Sequence, residues 1–271
     1  MMTILFDALL AATAFVVTLT FLPLWRNDAW WVRVQDFPRL QIWILSIALL
    51  LLELAFLDLS RAATWGLLLC AGLCFFYQSW WIVPYTPLFS KEVKRPAGAD
   101  PRRTIRFMTA NVLTPNRNAD ALLDLVHQHR PDVLVTLESD RWWQQRLDAL
   151  EGDYPHTIKC PLDNLYGMHV YSRLPLSDSR IDYLVESGKP SMHTLVSLPS
   201  GQRIRVHFLH PAPPGPTKNE ESTERDAELV IVARSVADET MPVVVTGDLN
   251  DVALSATSRM FRKISGLLAP R

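Results

Sequence analysis

Hydrophobic positions fall into two regimes along this chain. In the first regime they are nearly continuous: Ala8 to Leu24 is apolar except for threonines, Leu40 to Leu57 except for Gln41, Ser46 and Glu53, and Ala62 to Val83 forms a third run. Each approaches the roughly 20 residues that a membrane-spanning helix needs. Trp25, Trp30, Trp31 and Trp43 mark the first loop, and Trp80, Trp81 and Tyr85 the end of the third run, as expected for rings at headgroup depth. The pattern predicts a membrane domain over residues 1–90 with three transmembrane helices. A soluble domain would need a large partner surface to cover helices that are apolar on nearly every face. A cleaved signal peptide would carry a basic residue ahead of its apolar run, and none precedes this one.

The second regime has short periods. Residues 91–103, rich in charge, Pro, Gly and Ala, read as a linker, and residues 104–271 as a globular domain. Thr104 to Ala110 alternates as a strand; Asn118 can cap a helix whose Leu122, Leu125 and Val126 share a face, and Pro131 ends it. Asp132 to Leu137 is the next strand. This β-α-β unit delivers Asn111 and Glu138 just past two carboxyl-terminal strand ends, where open α/β sheets place ligands. Further strands are predicted around Gly167 to Ser172, His193 to Leu198 and Arg203 to Leu209, with turns at Pro175 and Ser200-Gly201. Leu229, Val232, Ala233 and Val236 form one face of a helix, Pro242 to Thr246 is a buried strand, and a last helix runs from about Ser255 to Ile264. The sum is a mixed-sheet α/β sandwich.

Composition narrows the function. The chain has 271 residues and a formal net charge of -1; the first 90 residues hold four of its 27 Lys and Arg and five of its 28 Asp and Glu, so the remainder is balanced. A strong non-specific nucleic-acid surface is therefore not expected. Cys70, Cys74 and Cys160 give neither a disulfide framework nor a zinc spacing. Glu53 is the one carboxylate well inside a span, expected to be neutral or to reach the interface. Arg26, Arg33 and Arg39 in the first loop and Lys91, Lys94, Arg95, Arg102 and Arg103 after the third span outweigh Arg61 in the second loop. The positive-inside rule then puts the globular domain in the cytoplasm, although a folded domain can be translocated despite its charge, which leaves the periplasm as the alternative.

The candidate chemistry lies in five segments in fixed order: Thr109-Ala110-Asn111-Val112, Leu137-Glu138-Ser139, Tyr171-Ser172-Arg173, His207-Phe208-Leu209-His210-Pro211 and Thr246-Gly247-Asp248-Leu249-Asn250-Asp251. Singly, each has a plainer reading, with Asn111 as a turn residue, Glu138 as a solvated strand end and Gly-Asp-Leu-Asn as a turn. Together they resemble the endonuclease/exonuclease/phosphatase superfamily, in its membrane-attached bacterial branch, over roughly 165 residues. The resemblance implies a multi-pass inner-membrane protein. Its polar part would be a DNase I-like four-layer α/β sandwich that hydrolyses phosphate esters as a nuclease or phosphatase. It implies Mg²⁺ or Mn²⁺ held by Glu138 with Asn111 nearby, Asp248 acting on the attacking water, Asn250 on a phosphoryl oxygen, and His210 on phosphate or the leaving group. His207, on the same strand, is the alternative to His210. His127, His129, His156, His169 and His193 read as surface or packing residues, and Asp251 as a helix cap or a support behind the ligands rather than a direct ligand.

Members of the superfamily usually continue to a Ser-Asp-His motif whose His pairs with Asp. This sequence has no histidine after His210. The expectation is a sandwich lacking its last strands and a site lacking its usual base, so the alternative function is a catalytically inactive membrane protein that binds a phosphate ligand or a partner. The implied partners are the lipid bilayer and a phosphate-ester substrate.

Overall fold

The computed structural model describes every residue except Met1, 95–97, 99, 218 and 271, so the expected linker, Arg95 included, lies partly outside the described residues. Three helices are long and apolar enough to cross a membrane. They are α1 (Met2–Phe21), α3 (Arg39–Phe56) and α4 (Ala62–Ile82), with a single turn, α2 (Trp30–Arg33), in the loop between the first two. They pack on one another through Leu9, Val16, Ile42, Leu49, Ala71 and Cys74 and leave the opposite faces apolar and exposed. Glu53 is buried inside the bundle, where Thr13 Oγ1 donates to its Oε1 at 2.6 Å. Its second oxygen, Oε2, is buried with no hydrogen-bond partner among the described residues, a cost that favours the neutral carboxyl.

The remaining elements are β1 (Phe107–Asn111), α5 (Ala119–His129), β2 (Val133–Leu137), α6 (Arg141–Leu147), β3 (His156–Cys160), β4 (Met168–Ser172), β5 (Leu176–Asp182), β6 (Ser191–Ser197), β7 (Arg203–Leu209), α7 (Thr223–Ala237), β8 (Val243–Gly247) and α8 (Ala256–Ser265). One sheet has the order β1-β2-β4-β3 and the other β5-β6-β7-β8. Alternation along the strands divides the side chains into layers. Val133, Val135, Leu137, Met168 and Val170 face Met192, Val196, Ile204, Val206 and Phe208 between the sheets. Leu134 and Tyr171 turn outward onto α5 and α6, whereas Leu209 turns outward onto α7 and α8. The result is a four-layer sandwich.

Several boundaries differ from the sequence expectation. β1 starts at Phe107 rather than Thr104, because Arg106 N donates to the Asp132 side chain at 2.7 Å instead of extending the ladder. The Asn118 cap is present, and Arg130 ends α5 in the left-handed region at φ 43 before Pro131. Three elements carry little periodicity and were not expected. β5 is a polar edge strand, β3 buries one residue fully, and α6 is set by the Asp140 cap on Trp143 N at 2.9 Å.

The helical bundle and the sandwich meet at one end of the three long helices. Trp30 N donates to Glu220 O at 2.9 Å, and Ser222 N donates to Asp28 O at 2.8 Å, so the first loop lies on the sandwich. At the end of α4, the guanidinium carbons of Arg39 and Arg259 lie 4.2 and 3.4 Å from the Trp81 ring centroid, one from each part of the chain. Cation–π contacts strengthen when desolvated. Trp81→Ala is expected to destabilise the joint by about 2–4 kcal/mol. Thermal unfolding in neutral detergent measures it; a midpoint equal to that of the parent would show that the ring does not hold the two parts together.

Candidate active site

Two strand ends from each sheet converge on one place. β1 and β2 are parallel, with Asn111 paired to Leu137, so Asn111 and Glu138 emerge side by side. β7 and β8 are also parallel, with Leu209 paired to Gly247, which sets His210 beside Asp248. Across the seam between the sheets, Thr109 and Thr246 hydroxyls bond at 2.9 Å. Asn111 Nδ2 donates to Glu138 Oε1 at 2.8 Å and to Asp248 Oδ2 at 3.3 Å, so one amide holds two carboxylates from different sheets.

Backbone geometry fixes these positions. Glu138 has φ 57 and Asn250 φ 50, in the left-handed region where non-glycine residues are uncommon. Such conformations persist only where the surroundings hold them. The Glu138 turn is held by Thr114 Oγ1 donating to Glu138 O at 2.6 Å and by Ser139 N donating to Gly167 O at 3.0 Å. Gly167 leaves no room for a side chain, since a Cβ there would lie 2.0 Å from Ser139 O. In the second loop Asp248 Oδ1 accepts from Asn250 N at 3.0 Å, and Asn250 Nδ2 donates to Pro211 O at 2.8 Å.

The expected residues separate into those brought to this site and those that are not. Asn111, Glu138, His210, Asp248 and Asn250 gather there. Buried His210 places Nε2 3.9 Å from Glu138 Oε1, with its ring 5.3 Å from that of Tyr166. His207 points to the helix side of its sheet, where its Nδ1 meets His193 Nδ1 at 2.6 Å. Asp251 accepts from Ser258 Oγ at 2.8 Å and from Ser255, the cap of α8. Tyr171-Ser172-Arg173 lies at the opposite end of the first sheet, since Ser172 pairs with Val133, at the start of β2.

Sequence reasoning missed several supports. Buried Arg225 donates to Asn250 O at 2.9 Å and lies 3.6 Å from Asp251, pinning the second loop from α7. Tyr166 backs His210, and burial together with Glu186 and Glu138 pushes its phenol up to about 12. His169, fully buried, bonds Ser139 Oγ at 2.6 Å beneath the Glu138 turn. No local pattern marks these residues, because each acts across the fold.

Burial lowers His169 to about 4 from the ordinary 6.5, against the pull of Asp148, and lowers His207 to about 4 as well. A folded-state value below the unfolded one means that the unfolded chain binds more protons between the two. Stability is then complete above pH 6.5 and is lost as pH falls toward 4, by up to about 3 kcal/mol for each group. His169→Gln is expected to flatten the acid limb of the stability curve; an unchanged limb would exclude His169 as a source.

Glu138 Oε2 is buried and has no hydrogen-bond partner among the described residues. A buried, unsatisfied carboxylate oxygen beside a second carboxylate is what a hard cation would satisfy. Among the described residues no group of three or more His, Cys, Asp and Glu is gathered for a metal ion. Mg²⁺ needs only one or two protein carboxylates with water and phosphate, so Glu138 and its neighbours fit that ion.

The match to known proteins follows this geometry. TDP2 from D. rerio, solved with a single-strand DNA product, superimposes with TM-score 0.50 at 18% identity, covering 61% of this chain and 66% of that one. A humanized D. rerio TDP2 gives TM-score 0.49 and 21% identity over 57% of this chain and 66% of that one. Sphingomyelinase C from Streptomyces griseocarneus gives 0.48 and 15% over 61% and 70%. The chain spans just under two thirds of the length of the TDP2 structures, and at these identities the likeness is one of fold. A comparison with curated proteins finds no match. The profile of the Endonuclease/Exonuclease/phosphatase family, however, matches residues 108–270, a stretch that starts in β1 and takes in both carboxylate-bearing loops. On that match over more than half its length, the chain belongs to the endonuclease/exonuclease/phosphatase family.

Proposed function

We propose that this chain is a membrane-anchored, metal-dependent phosphoesterase acting at the membrane surface. The observation that carries the reading is the pair of carboxylates, Glu138 and Asp248, held by the Asn111 amide with one Glu138 oxygen unsatisfied. Mg²⁺ or Mn²⁺ bound through Glu138 would supply neutralisation of the charge that develops on the phosphoryl group and leaving oxygen. Asp248 orients the attacking water and takes its proton. Asn250 holds the Asp248 loop to Pro211 and offers its second amide hydrogen to a phosphoryl oxygen, and His210 donates from Nε2 to phosphate or the leaving oxygen.

Placement at the surface rests on the first loop. Trp30, Val34 and Phe37 line a pocket of about 290 Å³ together with Asp248, Asn250 and Asp251. A substrate seated there would have apolar groups from the membrane-side loop against one flank and carboxylates against the other. The excess of Arg26, Arg33 and Arg39 in that loop favours a cytoplasmic face. A C-terminal reporter that works only outside the cytoplasm should then stay silent.

Hydrolysis of an aryl phosphodiester and an aryl phosphomonoester, with and without Mg²⁺, tests the reading. Asp248→Asn should lower metal-dependent turnover by about a hundredfold, the usual worth of a positioned base. Equal background in the parent chain and the variant would refute catalysis. One observation favours a second reading, phosphate binding without turnover: Asp248 has no histidine partner among the described residues, its bonds going to Asn111 and Asn250. Thermal stabilisation by Mg²⁺ and phosphate without hydrolysis would establish it.

A further inference from the structure

A second cavity lies away from the carboxylates, where the last turn of α4 meets α8. Its volume is about 880 Å³, and its floor is apolar: Phe76, Trp80, Val83 and Leu268 line it, with Trp80 73% and Phe76 70% exposed. Its rim is basic, with Arg259, Arg262 and Lys263 at i, i+3 and i+4 on one face of α8. Glu92 is the one acidic residue in the lining, and it is taken up by Arg262 and by Ala269 N. Among the described residues neither Arg259, which contacts the Trp81 ring and Trp80 O, nor exposed Lys263 has an anionic partner. Burial, with Arg39 and Arg262 nearby, lowers the Arg259 guanidinium from its ordinary value despite Tyr85, as expected for a cation short of a counter-charge.

The cavity sits at a defined depth, because the third span ends at Tyr85 and Trp80 belongs to its last turns. An occupant must therefore be apolar along Phe76 and Trp80 and anionic at Arg259 and Lys263, over a vertical step that matches the boundary of a bilayer. A soluble phosphate would satisfy the rim and leave the floor in water. A zwitterionic lipid would fill the floor and leave two cations without net compensation.

We infer that this groove binds the headgroup and upper acyl chain of an anionic phospholipid, with Arg259 and Lys263 on the phosphate. The inference rests on α4 crossing a membrane and does not depend on turnover at Asp248. Bound in this way, the lipid would join the third span to α8, the helix whose Ser255 cap leads directly from the Asp248 loop.

The experiment uses the full chain purified in neutral detergent with equimolar phosphatidylcholine and phosphatidylglycerol, followed by mass-spectrometric measurement of retained lipid. Phosphatidylglycerol should be enriched, and the double variant R259Q/K263Q should lose that enrichment by on the order of fivefold for each cation removed. K263E alone, at an exposed position, should reverse the preference without a folding defect, whereas R141Q on the far side of the sandwich should retain it. Equal retention of the two lipids by the parent chain, or unchanged enrichment in R259Q/K263Q, overturns the proposal. Displacement of the lipid by millimolar glycerol phosphate would identify a soluble-phosphate site and overturn it too. Release of the chain from membranes by alkaline carbonate would refute the membrane reading itself. Retention in the pellet with no lipid preference would refute only the groove.

Discussion

Glu138→Ala should abolish metal-dependent hydrolysis, by about a thousandfold or more, while leaving the thermal midpoint unchanged or slightly raised. The two halves of this expectation have one cause. Glu138 is a nearly buried carboxylate, its side chain 13% exposed, with one oxygen unsatisfied and a second carboxylate sharing its Asn111 partner. In the absence of a cation that arrangement costs stability, since desolvation and like charge act together. Removing the side chain relieves that cost and also removes the ligand that would hold the ion, which is worth several kcal/mol of transition-state stabilisation. Functional groups of this kind commonly trade stability for activity. Rate and unfolding should be measured on the same preparation. A loss of activity accompanied by an equal loss of stability would mean that Glu138 serves the fold, and full activity would remove it from the site.

Gly247→Ala should be the most damaging single change in the sandwich, lowering stability by roughly 3–5 kcal/mol and the midpoint by roughly 10 °C. Gly247 has φ +139, which L side chains rarely adopt, and a Cβ there would lie 2.0 Å from Leu209 O and 2.9 Å from Leu209 N. These are backbone atoms of the neighbouring strand, so no rotamer change can relieve the clash. The displaced carbonyl is also the acceptor for Asp248 N at 3.1 Å, so the strain passes directly to the next residue's carboxylate. Activity should vanish with stability. Thermal unfolding of Gly247→Ala against a Gly201→Ala control, where φ is +85 but nothing lies within 4 Å of the added carbon, separates steric clash from backbone strain. Equal midpoints would mean that φ alone sets the cost.

The legible part of the site was the part carried by short local signals. Asn111 and Glu138 follow the two strands of a β-α-β unit, of which only β2 is fully buried, and the Gly-Asp-Leu-Asn segment follows half-buried β8, so the strand pattern placed three loops at strand ends. The choice between His207 and His210 was not local. Both lie near the end of the same strand region, and only the hydrogen bond between His207 and His193 on β6 shows which one the fold draws away from the carboxylates. Arg225 was invisible for a similar reason: a lone arginine on a helix gives no sign that a loop 25 residues later will use its guanidinium. β5 was lost because it is polar along most of its length, as an edge strand with one solvated face can be. The three apolar helices were the easiest to read, since length and hydropathy define them without any tertiary information. The packing of their first loop beside Asp248 was not readable at all.

Glu138 belongs to one sheet and Asp248 to the other, with Asn111 as the tie between them. The candidate site therefore exists only while the two sheets hold their mutual position, and a slip of a few ångströms would dissolve it without breaking a single strand ladder. Turnover would then act as a gauge of sandwich alignment. Under gradual denaturation, it should fail well before circular dichroism registers any loss of secondary structure.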